Sequence, residues 1–238
     1  MRMPDSGPRY TETPADPYAP DARIPAEPWN TATASLFIVL ALYWLARLRG
    51  RFARFPFLAA ALPVLLVGAV GGTLYHAFRT RPLYFFLDLI PILVLGLAAA
   101  LYLSGKLVRW YGWRSVALTI LGIAAGFLVV NSLVFSVLSF ENRNIPVNVS
   151  YGSQAVLILV PLVGVLIRTK FRNAAFVAAG LVSFGIAWFC RLIDSTGLDV
   201  MPMGTHWLWH LFGVLCTAFL IEYFYRLDAL TSEAGSAG

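Results

Sequence analysis

The chain has three histidines, and two of them, His206 and His210, stand four residues apart where an apolar run begins. On an α-helix that spacing puts the two Cβ atoms about 5–6 Å apart on one face, so both imidazoles can face one ion. His76 lies near the end of a different apolar run. Three imidazoles with an open fourth position make a hydrolytic zinc arrangement, in which the metal lowers the pKa of water to about 7. Two carboxylates belong with them. Asp88 follows His76 across the short turn Arg79 to Pro82, and Asp194 closes the run before His206. An ionisable residue within a membrane span is costly enough to be a functional candidate by default. The stretch from His206 to His210 lacks the Glu that follows the first His in H-E-x-x-H proteases. The base must therefore come from another helix, and Asp88 is the best placed. Asp194 is expected to support the site by orienting a histidine through its free ring nitrogen. Two other readings stand beside this one. Each histidine could simply bond between helices, or His76 and His210 could bind opposite faces of a haem, which leaves His206 and Asp88 without a role.

The elements that position these residues follow from composition. Hydrophobic residues make up 59% of the 238 and charged residues only 13%, against about 45–50% apolar in soluble proteins. The charges sit in short clusters between uncharged runs long enough for a hydrocarbon core of roughly 30 Å. Runs at 29–46, 55–78, 83–103, 115–140, 151–167, 174–193 and 206–225 predict an all-α, seven-transmembrane-helix bundle at 29–226. Residues 227–238 are expected to form a short cytoplasmic tail. Residues 1–28 hold seven of the fourteen prolines, along with Asp5, Glu12, Asp16, Asp21 and Glu27. That composition opposes helix and burial, and predicts an extra-membrane arm. Polar residues Glu141 to Ser150 are expected to interrupt the bundle.

Orientation rests on the basic residues. The first, third and fifth connections carry Arg47, Arg49, Arg51, Arg54, Lys106, Arg109, Arg114, Arg168, Lys170 and Arg172. The other three hold only Arg79, Arg81, Arg143 and Arg191. The excess puts the odd connections in the cytoplasm, the arm outside and the C-terminus inside, with all three histidines near the outer surface. The net charge of +6 is thus a topology signal and not a nucleic-acid footprint. Cys190 and Cys216 fall in apolar runs as buried thiols, with no disulfide framework. No removed signal peptide is expected, the first apolar run serving as the insertion signal. Trp29, Trp207 and Trp209 suit an interfacial aromatic belt, and Arg79 and Arg81 suit headgroup anchoring.

Several blocks taken together carry a resemblance. They are Ala26-Glu27-Pro28-Trp29-Asn30, Tyr75-His76-Ala77-Phe78-Arg79-Thr80-Arg81, Leu87-Asp88-Leu89-Ile90-Pro91-Ile92, Arg191-Leu192-Ile193-Asp194, and Gly204-Thr205-His206-Trp207-Leu208-Trp209-His210-Leu211. Over nearly its whole length the chain resembles the alkaline ceramidase family, particularly bacterial members. That family lies within a superfamily of seven-helix membrane hydrolases that includes adiponectin-receptor-like proteins. The resemblance implies zinc on His76, His206 and His210, support of the activated water by Asp88, and cleavage of a ceramide-like lipid amide to a long-chain base and a fatty acid. It also implies calcium at Glu27 and Glu12, because family members bind calcium through a Trp-Cys-Glu-type segment plus the Glu opening helix one. Tyr10-Thr11-Glu12 echoes that segment. A bacterial inner membrane, with the site toward the extracytoplasmic side, is the location implied; membrane lipids and the lipid amide are the only partners.

Three positions depart from the family pattern. Gly72 stands where the family usually has Ser one turn before the first His, a hydroxyl that polarises the scissile carbonyl. Loss of one oxyanion donor costs about 10²–10³ in rate, so Gly72→Ser is expected to raise hydrolysis where the larger side chain fits. The arm matches the calcium segment loosely, and no Cys follows Asp194 between Ser195 and Val200. The rival reading is a receptor-like or lipid-binding membrane protein with a structural zinc and little turnover, which Gly72 favours.

Overall fold

A computed structural model describes residues 5, 7–137, 144–196, 198 and 200–236. Among them there are only helices and turns. In order these are α1 Pro28–Ala34, α2 Leu36–Leu48, a 3₁₀ turn Phe52–Arg54, α3 Pro56–Phe78, α4 Pro82–Tyr111, α5 Trp113–Val137, α6 Asn144–Arg168, α7 Ala174–Ser195 and α8 His206–Ser236. Six helical spans are long and apolar enough to cross a membrane: Pro28–Leu48, Pro56–Phe78, Pro82–Val108, Val147–Arg168, Ala174–Asp194 and His206–Leu230. Trp113–Val129 is a shorter apolar helical segment. Side chains such as Val67, Leu118, Val156, Val182 and Phe189 point outward and exposed. Such a surface suits lipid and not water, which makes the chain a multi-pass membrane protein.

The start and stop signals are local. Pro56 and Pro82 open α3 and α4 at first-turn positions, where a missing N–H costs nothing. Gly112, at φ 81°, separates α4 from α5. Asn173, at φ 61°, caps α7. Three differences from the sequence reading stand out. The first apolar run is two helices, broken at Ser35. Asn144 to Ser150, expected to be irregular, is the first part of α6; Glu141 lies outside the described residues. The expected tail at 227–238 continues α8 as far as Ser236, because no helix breaker intervenes after Leu227 until Gly235.

The chain forms two units. In the unit of residues 92–172, α5 packs on α6, and Gln154 Nε2 donates to the carbonyls of Ile92 (3.3 Å) and Leu93 (2.8 Å). The other unit, residues 1–91 and 173–238, holds every candidate site residue. There α7 packs along α8, and α1 packs on both α3 and α8. The first part of α4 lies close against α3 because of glycine. A Cβ on Gly71 would sit 2.5 Å from Leu87 Cβ and 2.6 Å from its carbonyl oxygen.

Candidate metal centre

His76, His206 and His210 converge. One ring nitrogen from each lies within 4.8 Å of the other two, and all three side chains are buried. His76 Nε2, His206 Nδ1 and His210 Nε2 have no hydrogen-bond partner. A buried polar atom without a partner costs about 1–3 kcal/mol, so three lone-pair nitrogens together call for an occupant that accepts electron pairs. A divalent metal that prefers imidazole fits this donor set.

Each ligand is aimed by something different. His76 sits in the last turn of α3, and its Nδ1 donates to Glu27 Oε2 at 2.5 Å. An ionised carboxylate only accepts, so the proton belongs on Nδ1 and the lone pair on Nε2. This is the carboxylate–histidine pairing that fixes tautomer and ring direction in metal sites. His206 and His210 are one turn apart on α8, with ring centroids at 4.8 Å. Asp194 sets the start of that helix: its Oδ1 accepts from the backbone N–H of Thr205 (2.8 Å) and His206 (3.2 Å). Asp194 thus acts through the backbone and not, as expected, on a ring nitrogen. The reason is geometric, since the first N–H groups of a helix point out of its end and Asp194 meets them across the turn. Gly204 is required there, at φ 70° and with its Cβ position filled by Asp194 and Thr11.

Asp88 is the carboxylate beside Gly72. Its Oδ1 lies 2.5 Å from where a Gly72 Cβ would be, on α3 one turn before His76. The space that a serine side chain would need is the space Asp88 uses.

The arm is the largest departure from expectation. Among its described residues there is no helix before Pro28, as its prolines predict, but Asp5, Tyr10, Glu12, Ala26 and Glu27 are buried. Tyr10 stacks on His206, with centroids 3.6 Å apart and planes at 13°, and lies 5.7 Å from His76. Arg191 Nη1 donates to its hydroxyl at 3.4 Å. Thr11 N–H donates to Asp194 Oδ2 at 3.2 Å. Asp16 and Asp21 are exposed, as solvated loop charges should be.

Glu27 and Glu12 make other contacts than the expected ones. Glu27 accepts from Arg79, from Thr13 and from Asn30 Nδ2 (3.0 Å), besides His76. Glu12 accepts from the backbone N–H of Trp29 (2.9 Å) and Asn30 (3.0 Å), capping α1 from a distance. No ligand cluster of His, Cys, Asp or Glu other than the three histidines occurs among the described residues. Arg79 is fully buried, so it is not the headgroup anchor the sequence suggested. Its left-handed backbone, φ 54°, ends α3 and brings the guanidinium to Asp5 (2.5 Å), Glu27, Thr13 (3.0 Å) and the Pro8 carbonyl (2.7 Å). Arg81, by contrast, is exposed.

Charge follows from these contacts. Burial would raise the Glu27 carboxyl, but Arg79, then His76 and Thr13, hold it at about 2. Burial dominates at Glu12 and pushes it up against the two backbone hydrogen bonds. Burial also raises the Tyr10 phenol; Arg191 and Arg79 oppose that, and the charge of Asp88 adds to it.

No family model, curated protein or solved structure matches the chain. What the site can do therefore rests on its own residues. The sequence missed Glu27 as the partner of His76 and Tyr10 as the cover of His206. The one signal for either was its place in a segment read for calcium, Glu27 beside Pro28 and Tyr10 in Tyr10-Thr11-Glu12, which pointed elsewhere.

Proposed function

We propose that the protein is a zinc-dependent membrane amidohydrolase that cleaves ceramide-like lipid amides to a long-chain base and a fatty acid. The observation that carries this reading is the set of three buried histidines, each with one ring nitrogen within 4.8 Å of the others and each with a ring nitrogen that has no hydrogen-bond partner, with a carboxylate packed one turn from His76. Zinc bound there would supply Lewis acidity and lower the pKa of water to about 7. The chain's own residues do the rest. Glu27 holds the His76 proton on Nδ1, and Asp194 fixes the helix start that carries His206 and His210. Asp88 takes a proton from the attacking water and returns it to the leaving nitrogen. The seven-helix count and the outward-facing site belong to this proposal, as do the bacterial inner membrane and the ceramide-like substrate, which the resemblance of the motif blocks supports.

The test pairs metal analysis with lipid-amide hydrolysis. Purified protein is expected to hold about one zinc per chain, lost in His206→Ala and His210→Ala. Asp88→Asn is expected to keep the metal and lose about 10²–10⁴ in rate, the range of general-base assistance. Zinc retained in both histidine variants would overturn the site.

A second reading is favoured by Gly72 and by the arm covering His206. In it the protein is a receptor-like or lipid-binding membrane protein with a structural zinc. Equal inactivity of wild type and Asp88→Asn toward a panel of lipid amides would select it.

A further inference from the structure

Acyl transfer needs more than a metal and a base. A donor must face the carbonyl oxygen as negative charge develops on it, and such donors are worth most in a buried site. At Gly72, where the resemblance led one to expect that hydroxyl, there is none, and the open side is filled by Asp88. A donor must then come from whatever else reaches the three histidines.

Tyr10 is buried and lies parallel on the ring of His206. Its hydroxyl accepts from the guanidinium of Arg191, which is buried as well. That leaves the phenol proton to be given, and no described residue takes it. A hydroxyl oxygen that accepts from a cation becomes a stronger donor through its own O–H, because hydrogen bonds in series polarise one another. Arg191 also packs over the ring of Trp209, 5.4 Å from its centroid, so the cation is fixed from two sides. Asp88 packs against Gly72, one turn before His76, and the ring of Tyr10 lies 5.7 Å from that of His76.

The geometry points to Tyr10 as a catalytic residue whose phenol O–H, backed by Arg191, donates to the carbonyl oxygen of the lipid amide. This rests on the amidohydrolase reading and deepens it. In the step, the oxygen of water bonds to the carbonyl carbon and the carbonyl π pair moves onto oxygen, where Tyr10 meets it. The C–N bond then breaks, its electron pair leaves on nitrogen, and nitrogen takes the proton that Asp88 removed from water. The Tyr10 proton stays on Tyr10 throughout. The donor belongs to the arm and not to a span, so the arm's seat on the bundle becomes part of the chemistry.

Tyr10→Phe tests this while keeping the ring that stacks on His206. Two readouts are needed. The first is independent of turnover and metal: octanoate, a stand-in for the oxyanion, is titrated into metal-free protein in detergent, with octanol as the uncharged control. Wild type is expected to prefer octanoate. Tyr10→Phe should weaken octanoate by about ten- to a hundredfold, the value of a hydrogen bond to a charged group, and leave octanol unchanged. The second readout is zinc-loaded lipid-amide hydrolysis, where kcat should fall about 10²–10³-fold with KM and zinc content unchanged. Thermal unfolding of the variant at the wild-type temperature shows that the arm is still seated. Equal octanoate affinity in wild type and Tyr10→Phe, or an unchanged kcat, overturns the proposal. Octanoate preference lost in Tyr10→Phe, with a wild type that hydrolyses no lipid amide, overturns the hydrolase instead and leaves Tyr10 as an anion-binding group.

Discussion

Arg79 is a fully buried cation held between two carboxylates, those of Asp5 and Glu27, and Glu27 in turn holds a metal-ligand candidate. Removing one member of a buried ion pair leaves an uncompensated charge, at a cost of about 3–5 kcal/mol. Arg79→Ala is therefore expected to lower thermal stability by that order and to loosen His76, read as a fall in unfolding temperature together with weaker zinc retention. A variant as stable as wild type would show that the guanidinium does not hold the carboxylates. Gly72 makes the opposite case, in which adding atoms does harm. A Cβ there meets Asp88 Oδ1 at 2.5 Å, so Gly72→Ser must displace the proposed base before its hydroxyl can help. The sequence alone suggested a gain. With Asp88 in that space, hydrolysis of lipid amide is expected to fall relative to wild type, and a rise would show that Asp88 has room to swing aside.

At the scale of elements, the start of α8 is a built junction. Asp194 from α7 caps it, Thr205 Oγ1 donates to the Cys190 carbonyl at 2.7 Å, and Gly204 turns the chain at φ 70°. The two histidines on α8 take their direction from this junction, so its side of the membrane decides where the proposed site opens. The distribution of basic residues sets that side. In a variant lacking Cys190 and Cys216, a cysteine at Gly50 is expected to be protected from an impermeant thiol reagent in intact cells, and one at Leu198 to react. The reverse labelling would invert the orientation and put the site at the cytoplasmic face.

For the molecule as a whole, the arm is part of the fold. Tyr18 donates to the Thr80 carbonyl at 2.7 Å, Ala26 N–H to the Ala77 carbonyl at 2.7 Å, and Glu12 caps α1. Arm and helix ends supply one another's missing hydrogen bonds. Deleting residues 2–13 removes Asp5, Tyr10, Glu12 and Thr13 together. The truncated chain should still fractionate with membranes, because its apolar spans remain, but should unfold at a lower temperature and retain zinc poorly. Unchanged stability and metal content would mean that the arm merely rests on the bundle.

How much of this was legible beforehand depends on whether a contact is local. Helical periodicity is local, so the apolar runs and the shared face of His206 and His210 followed from the sequence and the 3.6-residue turn. The convergence of His76 with His206 and His210 followed too, since short connections and alternating spans leave few choices of surface. The arm did not yield to the same reasoning. Its composition reads as solvated, but Thr11 reaches Asp194 and Glu27 reaches His76 across long stretches of sequence. Arg79, which pairs with Glu27, takes a left-handed turn that no residue type announces. The sequence put Asp194 at the level of the histidines and Glu27 only at the start of the first helix; the tertiary structure decided that Glu27 and not Asp194 meets a ring nitrogen. A ring nitrogen bonds whichever carboxylate the backbone turns bring within reach, and those turns are set by the packed whole.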